Sequence, residues 1–208
     1  MPRFHQLVFT PGVQAVQAVR GSRDAYARAV ARGGGDRLGP DEAAFIAARD
    51  SCYLATVGEG GWPYVQHRGG PRGFVRVLDE RTLGFADVRG NRQYVSVGNL
   101  GHDERVALIF VDYPAQARLK LLARARLVER ADDPALADRL TPPEFAGKVE
   151  RSVVLTVEGF DWNCPQHIVP RFTQDEIDRA LAPVRDRLAE LERDNQALRA
   201  ALAGRAAT

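Results

Sequence analysis

Cysteine is scarce in this chain. Only Cys52 and Cys164 are present among 208 residues, with no C-x-x-C pair and no Cys/His cluster. A structural zinc site is therefore not expected, and both thiols read as the reduced cysteines of a cytoplasmic protein. No apolar run approaches the roughly 20 residues that span a bilayer. The opening Met1-Pro2-Arg3-Phe4-His5-Gln6 lacks the apolar stretch of a secretory signal, so no membrane association is expected. Excess charge is missing too. The formal net charge is +2, and the arginines are spread along the chain instead of gathering on one face, which argues against nucleic acid as a partner. Nor is there a G-x-S-x-G elbow, an H-E-x-x-H helix, a phosphate-binding P-loop, or a G-x-G-x-x-G between a strand and a helix. Hydrolase and kinase readings have nothing to stand on. His5 and His102 have no partner visible in the sequence, and Asp132-Asp133 ahead of Pro134 reads as a solvated loop.

What is present describes a folded protein of mixed class, with 45% hydrophobic and 27% charged residues. Three zones are expected: a helical segment over 1–50 packed on a barrel, the barrel itself over 51–172, and a helix over 173–208. In the first zone, Thr10-Pro11 opens a helix carrying Val13, Val16 and Val19. After Gly33-Gly34-Gly35, the run Gly39-Pro40-Asp41-Glu42 starts another, with Phe45 and Ile46 as its core contacts. In the second zone, short runs rich in Val, Leu, Phe and Tyr predict strands at 52–57, 62–67, 74–78, 82–87, 105–112, 118–130 and 152–157. Tight turns such as Gly58-Glu59-Gly60-Gly61 and Asp79-Glu80-Arg81 join them, so the sheet is antiparallel, and six or seven strands favour closure into a barrel. Tyr94, Val97 and Leu100 mark one short helix within the series.

The third zone opens with Thr173-Gln174-Asp175-Glu176, a Thr cap with a Glu three residues on. Ile177, Leu181, Val184, Leu188, Leu191, Asn195, Leu198 and Leu202 then alternate spacings of four and three. That is a heptad seam with Asn195 at an a position, the residue type that fixes register in parallel two-stranded coils. Position g Arg187 would face e Glu192 of a second copy, and g Asp194 would face e Arg199. An amphipathic helix lying on its own barrel is the alternative, since Pro183 interrupts the early part.

Three clusters have side chains suited to binding. In Asp87-Val88-Arg89-Gly90-Asn91-Arg92-Gln93 a strand gives way to a Gly-containing turn and a short helix starting near Asn91. Unpaired N–H groups at the helix start, with Arg89 and Arg92, suit a phosphate. Local chemistry leaves an ordinary turn with solvated arginines equally open. Gln66-His67-Arg68-Gly69-Gly70-Pro71 reads as a polar strand end that would edge a planar heterocycle. Phe160-Asp161-Trp162-Asn163-Cys164-Pro165-Gln166-His167-Ile168 reads as a Pro-containing loop, either a binding loop or a Trp anchor ahead of the last helix.

The stretch 45–128 resembles the split-barrel flavoproteins related to pyridoxamine 5'-phosphate oxidase. In that family an aromatic-Tyr-Thr strand end is followed by Gly and a Ser-Arg-Lys phosphate motif. Phe85-Ala86-Asp87-Val88-Arg89-Gly90-Asn91-Arg92-Gln93 aligns with it without a gap, so Asn91, Arg92 and Gln93 take the Ser-Arg-Lys places, while Ala86 and Asp87 replace Tyr-Thr. Asn99 to Phe110 and Arg118 to Val128 look like the family's next turn and long strand, with Arg118 in the place of a Gln. Tyr64 to Gly70 and the Cys164-Pro165-Gln166-His167 loop look like an FMN-binding bacterial subgroup. The resemblance implies an α+β protein, an antiparallel split β-barrel with N-terminal helices. It also implies FMN at the interface of a homodimer, with the phosphate on Asn91, Arg92 and Gln93 and with Arg76 as a basic strand residue. Gln66, His67 and Arg68 would edge the ring. Trp162, Gln166 and His167 would come from the second subunit. His67 and His167 are the candidate acid–base groups. The true oxidases end in an Arg-x-His pair and an Arg-Leu-x-Pro tail, and this chain has neither. An FMN-dependent oxidoreductase acting on a small molecule other than the vitamin is the expectation. A carrier or sensor of flavin, heme or deazaflavin is the alternative.

Overall fold

Alternation of apolar residues decides which way each strand faces, since successive side chains point to opposite sides of a sheet. The computed structural model describes residues 3–31, 36–163 and 166–206. Seven strands form one antiparallel sheet: β1 (Ser51–Val57), β2 (Pro63–Gly69), β3 (Arg76–Asp79), β4 (Thr82–Val88), β5 (Arg105–Asp112), β6 (Ala117–Glu129) and β7 (Val149–Asn163), in the order β2-β1-β5-β6-β7-β4-β3. Cys52 and Leu54 of β1, Leu83 and Phe85 of β4, Val106, Leu108 and Phe110 of β5, Leu119 and Leu121 of β6, and Val153 and Leu155 of β7 all enter a single buried cluster. A sheet whose inner rows share one core has curled on itself. The two ends of the order, β2 and β3, are left without a hydrogen-bonded ladder between them among the described residues, which is the split.

The helices are α1 (Arg3–Val8), α2 (Pro11–Val19), α3 (Arg23–Ala31), α4 (Pro40–Ala47), α5 (Val95–His102), α6 (Pro134–Leu140) and α7 (Gln174–Ala206). Thr10 caps α2 through its side chain, and Glu42 folds back to accept from the Gly39 N–H at 2.9 Å at the start of α4. Ile46 of α4 is fully buried and Phe45 packs against the core, as expected. α6 covers β4 so closely that a Cβ on Gly84 would lie 2.8 Å from Leu140 Cδ1, so a larger residue there would displace that side chain.

Three expectations need correction. β2 runs to Gly69 and pairs with β1 along its whole length, so Gln66-His67-Arg68 sits inside a ladder and not at a strand end. β7 runs to Asn163 and keeps pairing with β6, so Phe160, Asp161 and Trp162 are strand residues and not a loop. Cys164 and Pro165 of that run lie outside the described residues. The short helix begins at Val95, four residues later than expected from Asn91. His5 also has a partner the sequence did not reveal: its Nε2 lies 3.6 Å from Asp161 Oδ1.

The chain divides into two compact units, Met1–Ile168 and Val169–Thr208. In the second, the Thr173 N–H donates to Glu176 Oε2 at 2.8 Å and the Glu176 N–H to Thr173 Oγ1 at 3.3 Å, closing the capping box that starts α7.

Candidate functional site

A polar cleft of about 260 Å³ opens where β2, the end of β4 and the start of α5 meet. Tyr64, Gln66, Arg68, Asp87, Asn91, Arg92, Gln93, Tyr94, Ser96 and Glu150 are among the residues lining it. The period of two in β2 selects Tyr64, Gln66 and Arg68 for this side, and Val65 and His67 for the other. In β4 the inward row Leu83, Phe85, Asp87 ends on the acid, which is 6% exposed. A carboxylate so placed needs a counter-charge. Arg68 Nη1 donates to Asp87 Oδ1 at 2.7 Å, and Arg151 Nη1 lies 4.0 Å from Oδ2. The Arg68 guanidinium also lies 5.8 Å from the Phe85 ring centroid, and its Nε–H is buried without a partner.

Beyond Val88 the chain makes a loop that carries strain. Arg92 and Tyr94 both adopt left-handed backbone, at φ 61° and 52°. Non-glycine residues rarely hold that conformation unless their surroundings impose it. Asn91 does not cap the helix. Its Oδ1 accepts from the Gln93 N–H at 3.2 Å, a turn closed within the loop. Tyr94 is anchored from the far side, its Oη donating to Glu150 Oε1 at 3.2 Å, with Arg89 Nε donating to the same oxygen at 3.1 Å. The Arg89 hydrogen bond, helped by Tyr94 and Arg151 and opposed by desolvation, holds the Glu150 carboxyl below the usual carboxylate range.

The result suits an anion. Arg68, Arg89 and Arg151 are committed to Asp87 and Glu150, whereas Arg92 makes no ion pair or hydrogen bond among the described residues. Gly90 has nothing within 4 Å of where a Cβ would be, so the backbone there is open to close approach. The N–H groups of Val95, Ser96 and Val97, in the first turn of α5, have no i−4 carbonyl to donate to. At the other end of the cleft, Ser96 Oγ and Gln66 Oε1 are 2.8 Å apart, which fixes the amide and leaves the Gln66 NH₂ as a donor.

The remaining sequence candidates lie elsewhere. His67 stacks edge-on against Tyr53, ring centroids 5.5 Å apart, on the outer face of β1 and β2. Ala86 faces away from the barrel interior, and Arg76 borders a separate hollow with Arg139. Arg118 pairs with Val111 of β5 and Asn163 of β7 and does not line the cleft. Trp162, near the end of β7, does not line the cleft either. Its Nε1 donates to Glu42 Oε1 at 2.7 Å and its ring meets Phe45. Gln166 and His167 follow in an exposed turn, His167 with φ 66°. So one chain brings together Gln66, Arg68, Asp87, Asn91, Arg92 and Gln93, and leaves His67, Arg76, Ala86, Arg118, Trp162, Gln166 and His167 outside their cleft. Sequence reading missed Tyr64, Tyr94, Ser96 and Glu150. The alternation through Gln66 pointed to Tyr64; for Glu150, brought in by the β4–β7 ladder, no local signal existed.

Residues 38–150 match the family model described as pyridoxamine 5'-phosphate oxidase, a span that includes every lining residue named above. The chain belongs to the pyridoxamine 5'-phosphate oxidase family. Among solved structures, HupZ of Group A Streptococcus shares the fold at 14% identity and a TM-score of 0.50, over 65% of this chain and 99% of that one. A candidate pyridoxamine 5'-phosphate oxidase of Lactobacillus delbrueckii matches at 27% identity with a TM-score of 0.48, over 61% of this chain and 94% of its own. HutZ, the heme storage protein of Vibrio cholerae, matches at 19% identity and 0.41, over 60% and 94%. No curated protein matches. Within the pyridoxamine 5'-phosphate oxidase family the present chain is a split barrel whose matched region ends inside β7, leaving α7 outside it.

Proposed function

We propose that the cleft binds FMN and that the chain is a flavoprotein oxidoreductase acting on a small molecule. The observation that carries this reading is Arg92: an uncommitted guanidinium on a strained loop, beside an open glycine and the unpaired N–H groups of α5. Asn91, Arg92 and Gln93 would hold the phosphate, and Gln66 and Arg68 the polar edge of the ring. A bound flavin supplies hydride or single-electron transfer; the protein's part is to place it and tune it. A cleft of 260 Å³ falls below the roughly 300–1,000 Å³ of pockets that enclose drug-sized ligands. A homodimer in which a second copy walls the ring is therefore part of the proposal, with Trp162, Gln166 and His167 as the residues that copy would bring.

A second reading has its own support. The two carboxylates lining the cleft, Asp87 and Glu150, are both held as ion pairs, and the histidine candidates lie outside it. That favours a carrier or sensor which holds its cofactor without turnover.

Purified protein distinguishes these. The expected result is a yellow sample that releases FMN on denaturation, or a colourless one that quenches added FMN fluorescence and binds riboflavin far more weakly. Failure to take up FMN, or a Soret band on heme addition with no flavin binding, overturns the proposal. Bleaching by NADPH or NADH followed by repeated turnover selects the enzyme over the carrier.

A further inference from the structure

The second unit presents a surface that the cleft does not use. α7 is a 33-residue helix, about 50 Å long at ~1.5 Å per residue. Ile177, Leu181, Val184, Leu188, Leu191, Leu198 and Leu202 are each between 40 and 65% exposed along one stripe. A solvated helix gains nothing from seven large apolar residues at strict four–three spacing. A partner with the same spacing would bury all of them.

We propose that α7 pairs with α7 of a second copy as a parallel, in-register, two-stranded coiled coil. Charge and register select this occupant. With Leu181, Leu188, Asn195 and Leu202 at a, the g residues Arg187 and Asp194 face Glu192 and Arg199 at e of the other copy, opposite in sign both times. Glu192, Asp194 and Arg199 are engaged by nothing among the described residues. Arg187 meets Glu190 in its own helix, an exposed i,i+3 contact of the kind that is readily exchanged. An antiparallel pair would set Asn195 against an apolar d residue and leave a buried amide without a partner. A parallel pair sets it against its own copy, amide to amide. Pro183 falls at c, away from the seam, and α7 continues through it. Leu at a with Ile177 and Val184 at d favours larger bundles on its own; Asn195 together with Leu191 and Leu198 at d selects two strands.

The test uses the full chain in a Cys164→Ser background, and no flavin. Leu188→Cys and Leu202→Cys each place a thiol at a, where parallel in-register helices bring the two copies together. Ala200→Cys places one on the outer f position. All three sites are exposed, so the fold should tolerate them. Mild oxidation should cross-link the two a-position variants to dimers almost completely and leave Ala200→Cys monomeric on a denaturing gel. Light scattering should give two chains per particle, and Leu191→Glu with Leu198→Glu should abolish the cross-link at position 202. Absence of cross-linking at both a positions overturns the proposal, whether α7 then lies alone or against another surface. Equal cross-linking at position 200, or a trimer or tetramer, does the same. None of these outcomes bears on FMN binding, so the two proposals stand or fall separately.

Discussion

Arg68 and Asp87 form their 2.7 Å ion pair across the split of the barrel, one from β2 and the other from β4, strands that are not neighbours in the sheet. End strand β2 is thus joined by side chains to β4, beyond the stretch that short β3 covers, where backbone pairing stops. The side chains of Arg68 and Asp87 are 17% and 8% exposed, so the pair is largely desolvated. Removing one partner of such a pair strands the other charge, at a cost of about 3 kcal/mol. Asp87→Ala should lose about that much in urea denaturation. Arg68→Met combined with Asp87→Leu should recover most of it, because an apolar pair strands nothing. A loss below ~1 kcal/mol for the single variant would show that the split is closed by something else.

Arg92 offers the opposite case, an exposed charge with no partner among the described residues. Arg92→Ala should leave the melting temperature unchanged. A charge-assisted hydrogen bond contributes about 1.5–3 kcal/mol, so FMN affinity should fall roughly 10- to 100-fold. Riboflavin, lacking the phosphate, should bind both proteins equally. Calorimetry with the two ligands checks this; equal losses for both would move the phosphate away from the loop.

Glu150 should titrate late. Its carboxyl is held low chiefly by the Arg89 hydrogen bond, with Tyr94 and Arg151 adding to it. A lowered folded value means that the stabilisation is present above the unfolded value, near 4.5, and is lost as pH falls through the folded one. The tie between Glu150 and the Arg92–Tyr94 loop should therefore survive at pH 5 and give way only in stronger acid. Carboxyl carbon NMR should place the Glu150 midpoint below the ordinary glutamate value, and Arg89→Ala should move it upward. A midpoint at or above the ordinary value in the native chain would contradict the contact.

Much of the barrel was legible because its signals are local. Alternating Val and Leu located all seven strands, and Gly39-Pro40-Asp41-Glu42 marked the start of α4 at its first residue. What failed was extent and facing. β2 and β7 run past their apolar cores because antiparallel pairing with β1 and β6 carries polar residues along, and no composition rule marks where that stops. Gly70 illustrates a residue given the wrong reason. It read as part of a ligand rim, yet a Cβ there would sit 2.8 Å from Phe74 Cβ and 2.9 Å from Phe145 Cζ, so packing explains the glycine. Arg92 and Tyr94 were misread differently. Neither is a residue type that announces left-handed backbone, and so the start of α5 was placed too early.

Gln66 and His67 are adjacent in sequence and were grouped as one polar edge, but a strand turns neighbours to opposite faces. Gln66 faces the cleft, fixed by Ser96. His67 faces outward onto Tyr53. Substituting each therefore separates the two sides of β2. Gln66→Ala removes one donor to the ring edge and should weaken FMN and riboflavin alike, by roughly tenfold for a net hydrogen bond of about 1.4 kcal/mol. His67→Ala should leave both affinities within a factor of two. Its effect should fall instead on the outer face, where Tyr53 loses its stacking partner. Fluorescence titration of the two variants side by side decides the matter. If His67→Ala weakens flavin binding and Gln66→Ala does not, the ring lies against the outer face of the sheet, and the cleft between Gln66 and Arg92 is not where the cofactor sits.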